Sequence, residues 1–386
     1  MRLLFVTGSL VHGGAERHTI TLLNRLAERG HECHAAYVQN DASQLGRLRG
    51  AASAECLHAR RYLDFAALGR LKDLIEKAPP TAVVAANPYA MLYATLALRQ
   101  SGVTAPLAVT FHTTLLRDAK ERVKMLYYRP LFWSADCLVF VCEAQRRHWR
   151  RRLVFGRTSR TIHNGVDLEH WRSPGPEVRA RMRRILGFAD QDYVIAISAV
   201  LRPEKNHLQL VDALARLRGR GIAARALLIG DGPMRPAIEA RARALGLDAE
   251  VLIAGFQQDV RPLLGAADAV ALCSTSVETF SLAALEAMAL GRPVVLSEIG
   301  GAAEMVRPGE EGFLFRAGDT HALVERLAAL SDESLRRRMG ATARATVEAR
   351  FSERAMVDAY EALLQQLVLR RNQHENLRGS ATAHQG

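Results

Sequence analysis

Short apolar runs alternate with longer segments of helical periodicity along this chain of 386 residues. The short runs are rich in valine, isoleucine, leucine and alanine, which is typical of buried strands in a parallel sheet. In the first half, strands are predicted at 3–7, 34–38, 82–86, 107–111, 137–141 and 161–163, with a helix from about 15 to 29. Strands and helices in this order indicate an α/β fold.

The same pattern restarts after a polar stretch with proline and glycine at 173–176. The second series of strands is predicted at 193–200, 226–229, 251–254, 269–272 and 293–296. We therefore predict two tandem Rossmann-like domains, with the cleft between them as the default ligand site. The predicted boundaries are 1–168 for the first domain, 169–351 for the second, about 352–370 for an amphipathic last helix, and 371–386 for a disordered tail.

The composition, with 49% hydrophobic and 24% charged residues, is that of a globular protein able to bury two cores. Its five cysteines show no CxxC pair and no zinc-type spacing, so we expect free thiols and no metal site. No apolar run reaches the ~20 residues of a membrane span, and the apolar start is too short for a signal peptide. A cytoplasmic protein is expected.

Much of the net charge of +12 is concentrated between residues 115 and 160, where twelve basic residues face four acidic ones. Apolar and aromatic residues interleave with this charge, which favours a helix lying on an anionic membrane surface. The same residues could equally pack into the core of their own domain. Because no base-stacking platform or recognition-helix motif accompanies the charge, we do not expect a nucleic-acid partner.

Several glycines and charges follow predicted strands, where ligands of open α/β sheets bind. Gly14 belongs to a glycine pair that opens the first helix, either as a close approach to a ligand or as a structural turn. Arg202 and Lys205 are predicted at a helix start, where two cations oppose the helix dipole unless they hold an anion. Gly230 lies in a turn after the next strand, at the same edge of the sheet.

The most specific segment runs from 273 to 293. Glu278 lies in a polar loop, and Glu286 lies in a helix predicted over 281–290. Because a carboxylate accepts hydrogen bonds from vicinal hydroxyls, Glu278 suits a donor sugar and Glu286 a ribose. The helix-start amides suited to a phosphate belong to Phe280, Ser281 and Leu282.

Together these motifs resemble the family-4 retaining glycosyltransferases, also called group 1 glycosyl transferases, which have the GT-B fold. The matching motifs are Gly-Gly-Ala-Glu at 13–16, His-Asn-Gly-Val-Asp at 163–167, Arg-Pro-Glu-Lys at 202–205, Gly-Asp-Gly-Pro at 230–233, and Glu278 with seven residues before Glu286. The chain departs from the common pattern at Ser281 and Ala303, both near turns that contact the donor in the family.

The resemblance implies a role for each matching residue. Arg202 and Lys205 would neutralise the diphosphate leaving group, and Glu286 would hold the ribose. Glu278, with the amides of residues 280–282, would hold the donor sugar and the phosphate. The resemblance also implies Gly14 at the diphosphate and His112 at the sugar. We further expect Gly230 to contribute to donor binding and Phe256 to lie near the base of the nucleotide. The alternative interpretation from the sequence alone is that His112 is an ordinary residue at the end of a strand.

The resemblance further implies retaining, metal-independent hexosyl transfer with no cofactor besides the donor. We expect a UDP-sugar, with GDP-mannose as the alternative, and a lipid-linked or polysaccharide acceptor in cell-envelope synthesis. The first domain would bind the acceptor, the second the nucleotide-sugar, and the last helix would cross back to the first domain. The alternatives are another GT-B enzyme, such as a nucleotide-sugar epimerase or a phosphorylase, and a non-catalytic protein that binds anionic membranes.

Overall fold

The computed structural model of the protein describes residues 1–11, 13–112, 119–276 and 278–383. The chain divides into two compact units. The first comprises Met1–His163 together with Met356–Gly386, and the second comprises Asn164–Ala355.

The first unit is a parallel sheet of seven strands, in the order β3-β2-β1-β4-β5-β6-β7. Its elements are β1 (Arg2–Thr7), α1 (Gly14–Glu28), β2 (Glu32–Tyr37), β3 (Ala51–Cys56), α2 (Phe65–Lys77), β4 (Ala82–Ala86), α3 (Asn87–Ser101), β5 (Leu107–Phe111), α4 (Ala119–Phe132), β6 (Cys137–Phe140), α5 (Glu143–Arg150) and β7 (Thr158–Thr161). Strands β4, β5 and β6 are buried at every position, because helices cover both faces of the sheet.

The second unit is a parallel sheet of six strands, in the order β10-β9-β8-β11-β12-β13. Its elements are α6 (Pro176–Ile185), β8 (Tyr193–Ser198), α7 (His207–Gly219), β9 (Ala224–Ile229), α8 (Arg235–Ala244), β10 (Val251–Gly255), α9 (Arg261–Ala266), β11 (Ala269–Leu272), α10 (Leu282–Ala289), β12 (Val294–Ser297), α11 (Ala302–Met305), β13 (Gly312–Phe315), α12 (Thr320–Ala329) and α13 (Glu333–Arg350). The prediction of an α/β fold with two Rossmann-like units is confirmed.

The last helix, α14 (Glu353–Ala383), starts in the second unit and continues in the first. From residue 356 onward, its apolar positions recur at helical spacing and join a core cluster that contains Leu3 and Phe5 of β1. The buried positions of this face include Met356, Tyr360, Leu364 and Leu367.

The unit boundaries differ from the predicted ones at 168 and 351. The first unit ends at His163, because the segment that follows is bonded to the start of α14. The Val166 amide donates to the Phe351 carbonyl at 3.0 Å, and its carbonyl accepts from the Glu353 amide at 2.9 Å. These bonds place 164–168 in the second unit.

The chain end also differs from the expected disordered tail, because residues 371–383 continue α14. This segment lacks apolar periodicity, but it contains no proline and is rich in good helix formers. A helix that already packs on a core extends through such residues without a new nucleation step.

Candidate active site

Loops that follow β8, β9 and β11 meet at the carboxyl edge of the second unit's sheet. Strand β8 lies between β9 and β11, so its loop has a neighbour on each side. The Thr275 amide, after β11, donates to the Glu204 carbonyl, after β8, at 2.9 Å. On the other side, the Leu201 amide donates to the Asp231 carbonyl at 3.0 Å. Backbone hydrogen bonds therefore join motifs that lie far apart in sequence.

Lys205 and Glu278 form an ion pair at this edge, with Lys205 Nζ 2.6 Å from Glu278 Oε2. The Ser274 hydroxyl donates to the same carboxylate oxygen at 3.2 Å. The two charged side chains are only 25% and 21% exposed, so their attraction is less screened than that of a surface pair. The residue predicted for the diphosphate and the residue predicted for the sugar are thus in direct contact.

The prediction that Arg202 and Lys205 start a helix needs a correction. Residues Pro203–Lys205 form a separate 3-10 turn, Asn206 follows in left-handed backbone with φ of 51°, and α7 begins at His207. A left-handed residue interrupts helical backbone, so the two cations precede the helix instead of lying in its first turn. Arg202 is exposed and makes no ion pair with the described residues.

The loop from Glu278 to α10 is held by side-chain and backbone hydrogen bonds. Ser281 caps α10 by accepting from the Ala284 amide at 3.3 Å. Phe280 is buried, and its carbonyl accepts from Nδ2 of Asn164 at 3.0 Å. Leu282 is the first residue of the helix. The predicted phosphate-binding amides therefore lie at a true helix start, as anion binding requires.

Glu286 lies in α10 and is only 3% exposed. A carboxylate buried this far needs hydrogen-bond donors around it, whether from the protein or from a ligand. On the other side of the loop, Gly300 has a φ of +56°, and a Cβ there would overlap the carbonyl oxygen of Glu278. Only glycine fits at that position, so the backbone behind Glu278 is tightly constrained.

Gly230 and Phe256 are neighbours, because the Gly230 amide donates to the Gly255 carbonyl at 2.9 Å. Gly230 has a φ of +143°, and a Cβ there would overlap the carbonyl oxygen of Ala199. The turn therefore packs backbone on backbone against the loop after β8. Phe256 is an exposed aromatic residue at the same edge.

In the first unit, His112 directly follows β5, and its backbone amide donates to Oδ1 of Asn87 at 3.0 Å. Burial lowers the pKa of His112 well below its usual range, and the nearby His18 adds to this shift. The imidazole is therefore neutral at physiological pH, so one ring nitrogen can donate a hydrogen bond and the other can accept one. Gly14, the first residue of α1, is exposed, as a backbone that approaches a ligand must be.

His112 lies beside a buried pair of residues, His18 and Tyr360, that the sequence did not indicate as part of the site. The His18 ring, from α1, lies 4.7 Å from the His112 ring between centroids. His18 Nε2 lies 3.2 Å from the Tyr360 hydroxyl on α14. In the sequence, His18 and Tyr360 lie at apolar positions of their helices, which is typical of ordinary core residues. Only the fold brings them to the predicted sugar-contacting histidine.

The basic segment 115–160 only partly falls within the description, since residues 113–118 lie outside it. In α4, Met125, Tyr128 and Phe132 pack into the core. Tyr127 and Trp133, in contrast, are 76% and 63% exposed. Arg129 donates to the Arg152 carbonyl at 3.2 Å, which connects α4 with the arginine-rich segment after α5.

Within residues 1–11, 13–112, 119–276 and 278–383, none of the helices is long and apolar enough to cross a membrane. The same ranges hold no group of three or more His, Cys, Asp or Glu side chains that could bind a metal ion.

Two family models match the chain. The model described as Glycosyltransferase Family 4 matches residues 12–170, and the model described as Glycosyl transferases group 1 matches residues 178–346. Among curated relatives, glycosyltransferase EpsD of Bacillus subtilis is 30% identical over 306 residues, which is 76% of this chain and 80% of the relative. The lipopolysaccharide core biosynthesis glycosyltransferase LpsE of Rhizobium meliloti is 30% identical over 362 residues, covering 91% and 96%.

Solved structures share the fold. The Anabaena protein HepE, in a complex with UDP-glucose, superposes with a TM-score of 0.84 at 22% identity, covering 95% of this chain and 100% of its own. A glycosyltransferase from Rickettsia africae superposes with a TM-score of 0.82 at 19% identity, covering 95% and 98%. The fold predicted from the sequence, GT-B, is confirmed by these structures.

Proposed function

Since this chain belongs to the family-4 glycosyltransferases, we propose that it transfers a hexose from a nucleotide-diphosphate-sugar to a hydroxyl, with retention of anomeric configuration. The group 1 match at 178–346 lies within the second unit, Asn164–Ala355. We assign nucleotide-sugar binding to that unit and acceptor binding to the first.

The observation that carries this proposal is the contact of Lys205 with Glu278 at the carboxyl edge of the sheet. An arriving diphosphate competes with Glu278 for the lysine, because it offers more negative charge at the same distance. The carboxylate is then available to accept hydrogen bonds from sugar hydroxyls. One ion pair thus supplies both the cation for the leaving group and the acceptor for the sugar.

In the reaction, the bond between the anomeric carbon and the donor phosphate oxygen breaks while the acceptor oxygen bonds to the same face of the sugar. The acceptor proton passes to a phosphate oxygen of the leaving diphosphate. No protein nucleophile is needed, unlike the retaining hydrolases with two carboxylates. Arg202 and Lys205 stabilise the charge that develops on the diphosphate, so we propose turnover without a divalent cation. Neutral His112 hydrogen-bonds a hydroxyl of the donor sugar and orients it.

A UDP-sugar is the favoured donor. The Anabaena structural neighbour binds UDP and UDP-glucose, which supports this choice. GDP-mannose is the alternative donor, since a Corynebacterium glutamicum relative, 28% identical over 286 residues, is named a GDP-mannose-dependent mannosyltransferase. The Rhizobium meliloti relative is named for lipopolysaccharide core biosynthesis, and the Corynebacterium glutamicum relative is named for a phosphatidylinositol monomannoside. Both names favour a lipid-linked or polysaccharide acceptor in cell-envelope synthesis.

We also propose that the enzyme contacts an anionic membrane peripherally through α4 and the arginines after α5. Helix α4 packs Met125, Tyr128 and Phe132 into the core, whereas Tyr127 of the helix and Trp133 directly after it are exposed to solvent. Exposed aromatic side chains beside arginines suit a lipid interface. Binding to vesicles that contain phosphatidylglycerol, weakened by salt and by Trp133→Ser, is expected. Equal binding to neutral phosphatidylcholine vesicles would contradict this role.

The donor proposal is tested by thermal denaturation in EDTA with UDP, GDP, ADP or CMP. A ligand at 100 times its Kd stabilises the folded state by ~2.7 kcal/mol. We expect the largest shift with UDP, and its loss in Lys205→Ala and Glu286→Gln. Lys72→Ala is the matched control, since Lys72 also pairs with a glutamate, Glu76, at 3.0 Å but lies in α2. No shift with any nucleotide, or loss of turnover in EDTA, would contradict the proposal.

A further inference from the structure

An aromatic pair with an exposed face stands at the carboxyl edge of the first unit's sheet. Tyr62, in the loop between β3 and α2, stacks on Tyr89 of α3 with ring centroids 4.9 Å apart and planes at 30°. Tyr89 in turn meets the edge of Tyr93 at 5.5 Å. Tyr62 remains 44% exposed although two rings pack behind it. The arrangement presents the tyrosine surface outward.

The loop that carries Tyr62 is held rigidly. Asp64 caps α2 by accepting from the Ala66 and Ala67 amides at 3.0 and 3.1 Å, and it also accepts from the Arg60 amide at 2.9 Å. The Asp64 amide donates to the Tyr93 hydroxyl at 2.9 Å. A surface held this way loses little conformational entropy when it binds a ligand.

Tyr93 also fixes Tyr62 itself, because its hydroxyl donates to the Tyr62 carbonyl at 3.3 Å. Burial against these rings raises the pKa of Tyr62 to about 12, so its phenol is neutral at physiological pH. The stacked pair Tyr62 and Tyr89, called the platform below, therefore offers an uncharged aromatic surface in a set orientation.

The platform lies beside the residues assigned to the donor sugar. Tyr89 is in the first turn of α3, two residues after Asn87, whose side chain accepts from the His112 amide at 3.0 Å. Tyr89 also packs against the loop after β1, since a Cβ on Gly8 would lie 3.3 Å from Tyr89 Cδ1. The carboxyl ends of β1, β4 and β5 thus place the aromatic surface next to His112.

Two arginines directly precede the exposed tyrosine in the chain. Arg60 and Arg61 are both exposed, and neither side chain forms an ion pair with the described part of the chain. Guanidinium groups bind phosphate and carboxylate in bidentate geometry, so two adjacent ones without acidic partners suit an anionic group. A ligand that matches the whole surface has a flat apolar face and a negative charge at its edge.

We propose that Tyr62 and Tyr89 form the acceptor subsite, which stacks against a pyranose ring of the acceptor while Arg60 and Arg61 bind an anionic group attached to it. The flat face of a pyranose carries C–H groups that pack on an aromatic ring, and its hydroxyls stay at the rim. The anionic group is a phosphate or a carboxylate. This inference rests on the proposed function, because it names the class of acceptor that the first unit holds.

The test is saturation-transfer NMR of the full chain with glucose 6-phosphate, glucose 1-phosphate, glucuronic acid and neutral methyl glucoside as probes. We expect saturation on the ring C–H protons of the charged sugars. Tyr62→Ala should weaken their binding at least tenfold, whereas Tyr62→Phe, which keeps the ring, should bind as the wild type does. Tyr127→Ala is the matched control, since it removes another exposed tyrosine of the first unit.

The Arg60→Ala/Arg61→Ala variant separates the two parts of the subsite. It should lower the binding of the charged probes to the level of methyl glucoside, and inorganic phosphate alone should show no competition at equal concentration. Glucose 6-phosphate against glucuronic acid distinguishes a phosphate from a carboxylate group. Unchanged binding in Tyr62→Ala, or no saturation of any pyranose by the wild type, would overturn the inference.

Failure of the proposed function has a different signature. Tyr62→Ala should retain the full thermal shift with UDP, because the variant leaves the second unit untouched. If the wild type shows no shift with any nucleotide, the donor proposal fails whatever the sugar probes show. If the nucleotide shift is present and the sugars do not bind, only the acceptor subsite is wrong.

Discussion

The two units share one architecture but present different chemistry at the same edge of their sheets. In the first, the carboxyl edge carries aromatic rings, with His112 beside His18 and Tyr62 stacked on Tyr89. In the second, it carries a charged pair, Lys205 with Glu278. Because a parallel sheet fixes only where loops meet, the residues in those loops decide what each edge binds. We attribute the diphosphate and the donor-sugar contact of Glu278 to the charged edge, and the contacts of sugar rings with His112 and the two tyrosines to the aromatic edge.

The largest change in activity is expected when the cation of the charged edge is removed. Lys205→Ala removes the cation beside Glu278, and losing one preorganised group of this kind costs about 10²–10³ in kcat, or about 3–4 kcal/mol. UDP release from UDP-glucose in the presence of acceptor measures it. Lys72→Ala should retain full activity. Comparable rates in Lys205→Ala and wild type would remove the distinction between the two edges.

The second prediction concerns the backbone that supports the charged edge. Gly230→Ala places a Cβ against the Ala199 carbonyl at a φ that alanine avoids, which should destabilise the protein by about 2–3 kcal/mol. Chemical denaturation measures the change. Gly219→Ala is the control, because nothing lies within 4 Å of a Cβ at that position. Equal stability of the two variants would show that the turn is not constrained.

The third prediction is a pH dependence that originates in the second unit. Burial, with Lys205 nearby, lowers the pKa of His207 to about 4, and its ring nitrogens have no hydrogen-bond partner among the described residues. The unfolded chain therefore binds more protons below pH ~6.5, so stability is full above that pH and falls by about 2 kcal/mol as the pH drops toward 4. Denaturation curves across this range measure it.

The matching variant is His207→Leu, which removes the titrating group from the start of α7. Its free energy of unfolding should fall less than that of the wild type between pH 6.5 and 4.5. An identical pH profile in both proteins would assign the acid sensitivity to other groups.

The smallest effect is expected at the aromatic edge of the first unit. Tyr360→Phe removes the hydroxyl 3.2 Å from His18 Nε2, and a lost hydrogen bond of this kind costs about 1 kcal/mol. If His18 positions His112 against the sugar, KM for the donor should rise severalfold while the thermal shift with UDP stays unchanged. A matching loss of UDP binding would instead indicate a general disturbance of the structure.

The sequence predicted the fold and the candidate residues because both depend on local patterns. Strand-length apolar runs identified the buried strands, and the motifs around Lys205 and Glu278 were recognisable one by one. The edge strand β3 was not predicted, since its alternating exposure and small residues give a weak signal. The sequence did not show that Lys205 and Glu278 form an ion pair, because their contact depends on the adjacency of β8 and β11.

Other features depend on tertiary packing, so they could not be predicted from the sequence either. Proline at 203 suits a helix start, yet Asn206 ends the turn in left-handed backbone. His18 and Tyr360 lie 342 residues apart and meet only because α14 packs in the first unit. The stack of Tyr62 on Tyr89 depends on a loop conformation that Asp64 and Tyr93 set together.

Calorimetric titration of UDP in EDTA into wild type, Lys205→Ala and Tyr62→Ala tests the division between the two edges most directly. We predict metal-independent binding to the wild type, a loss of at least tenfold in affinity in Lys205→Ala, and unchanged affinity in Tyr62→Ala. Equal binding by Lys205→Ala, or a comparable loss in Tyr62→Ala, would contradict the assignment of the diphosphate to the second unit.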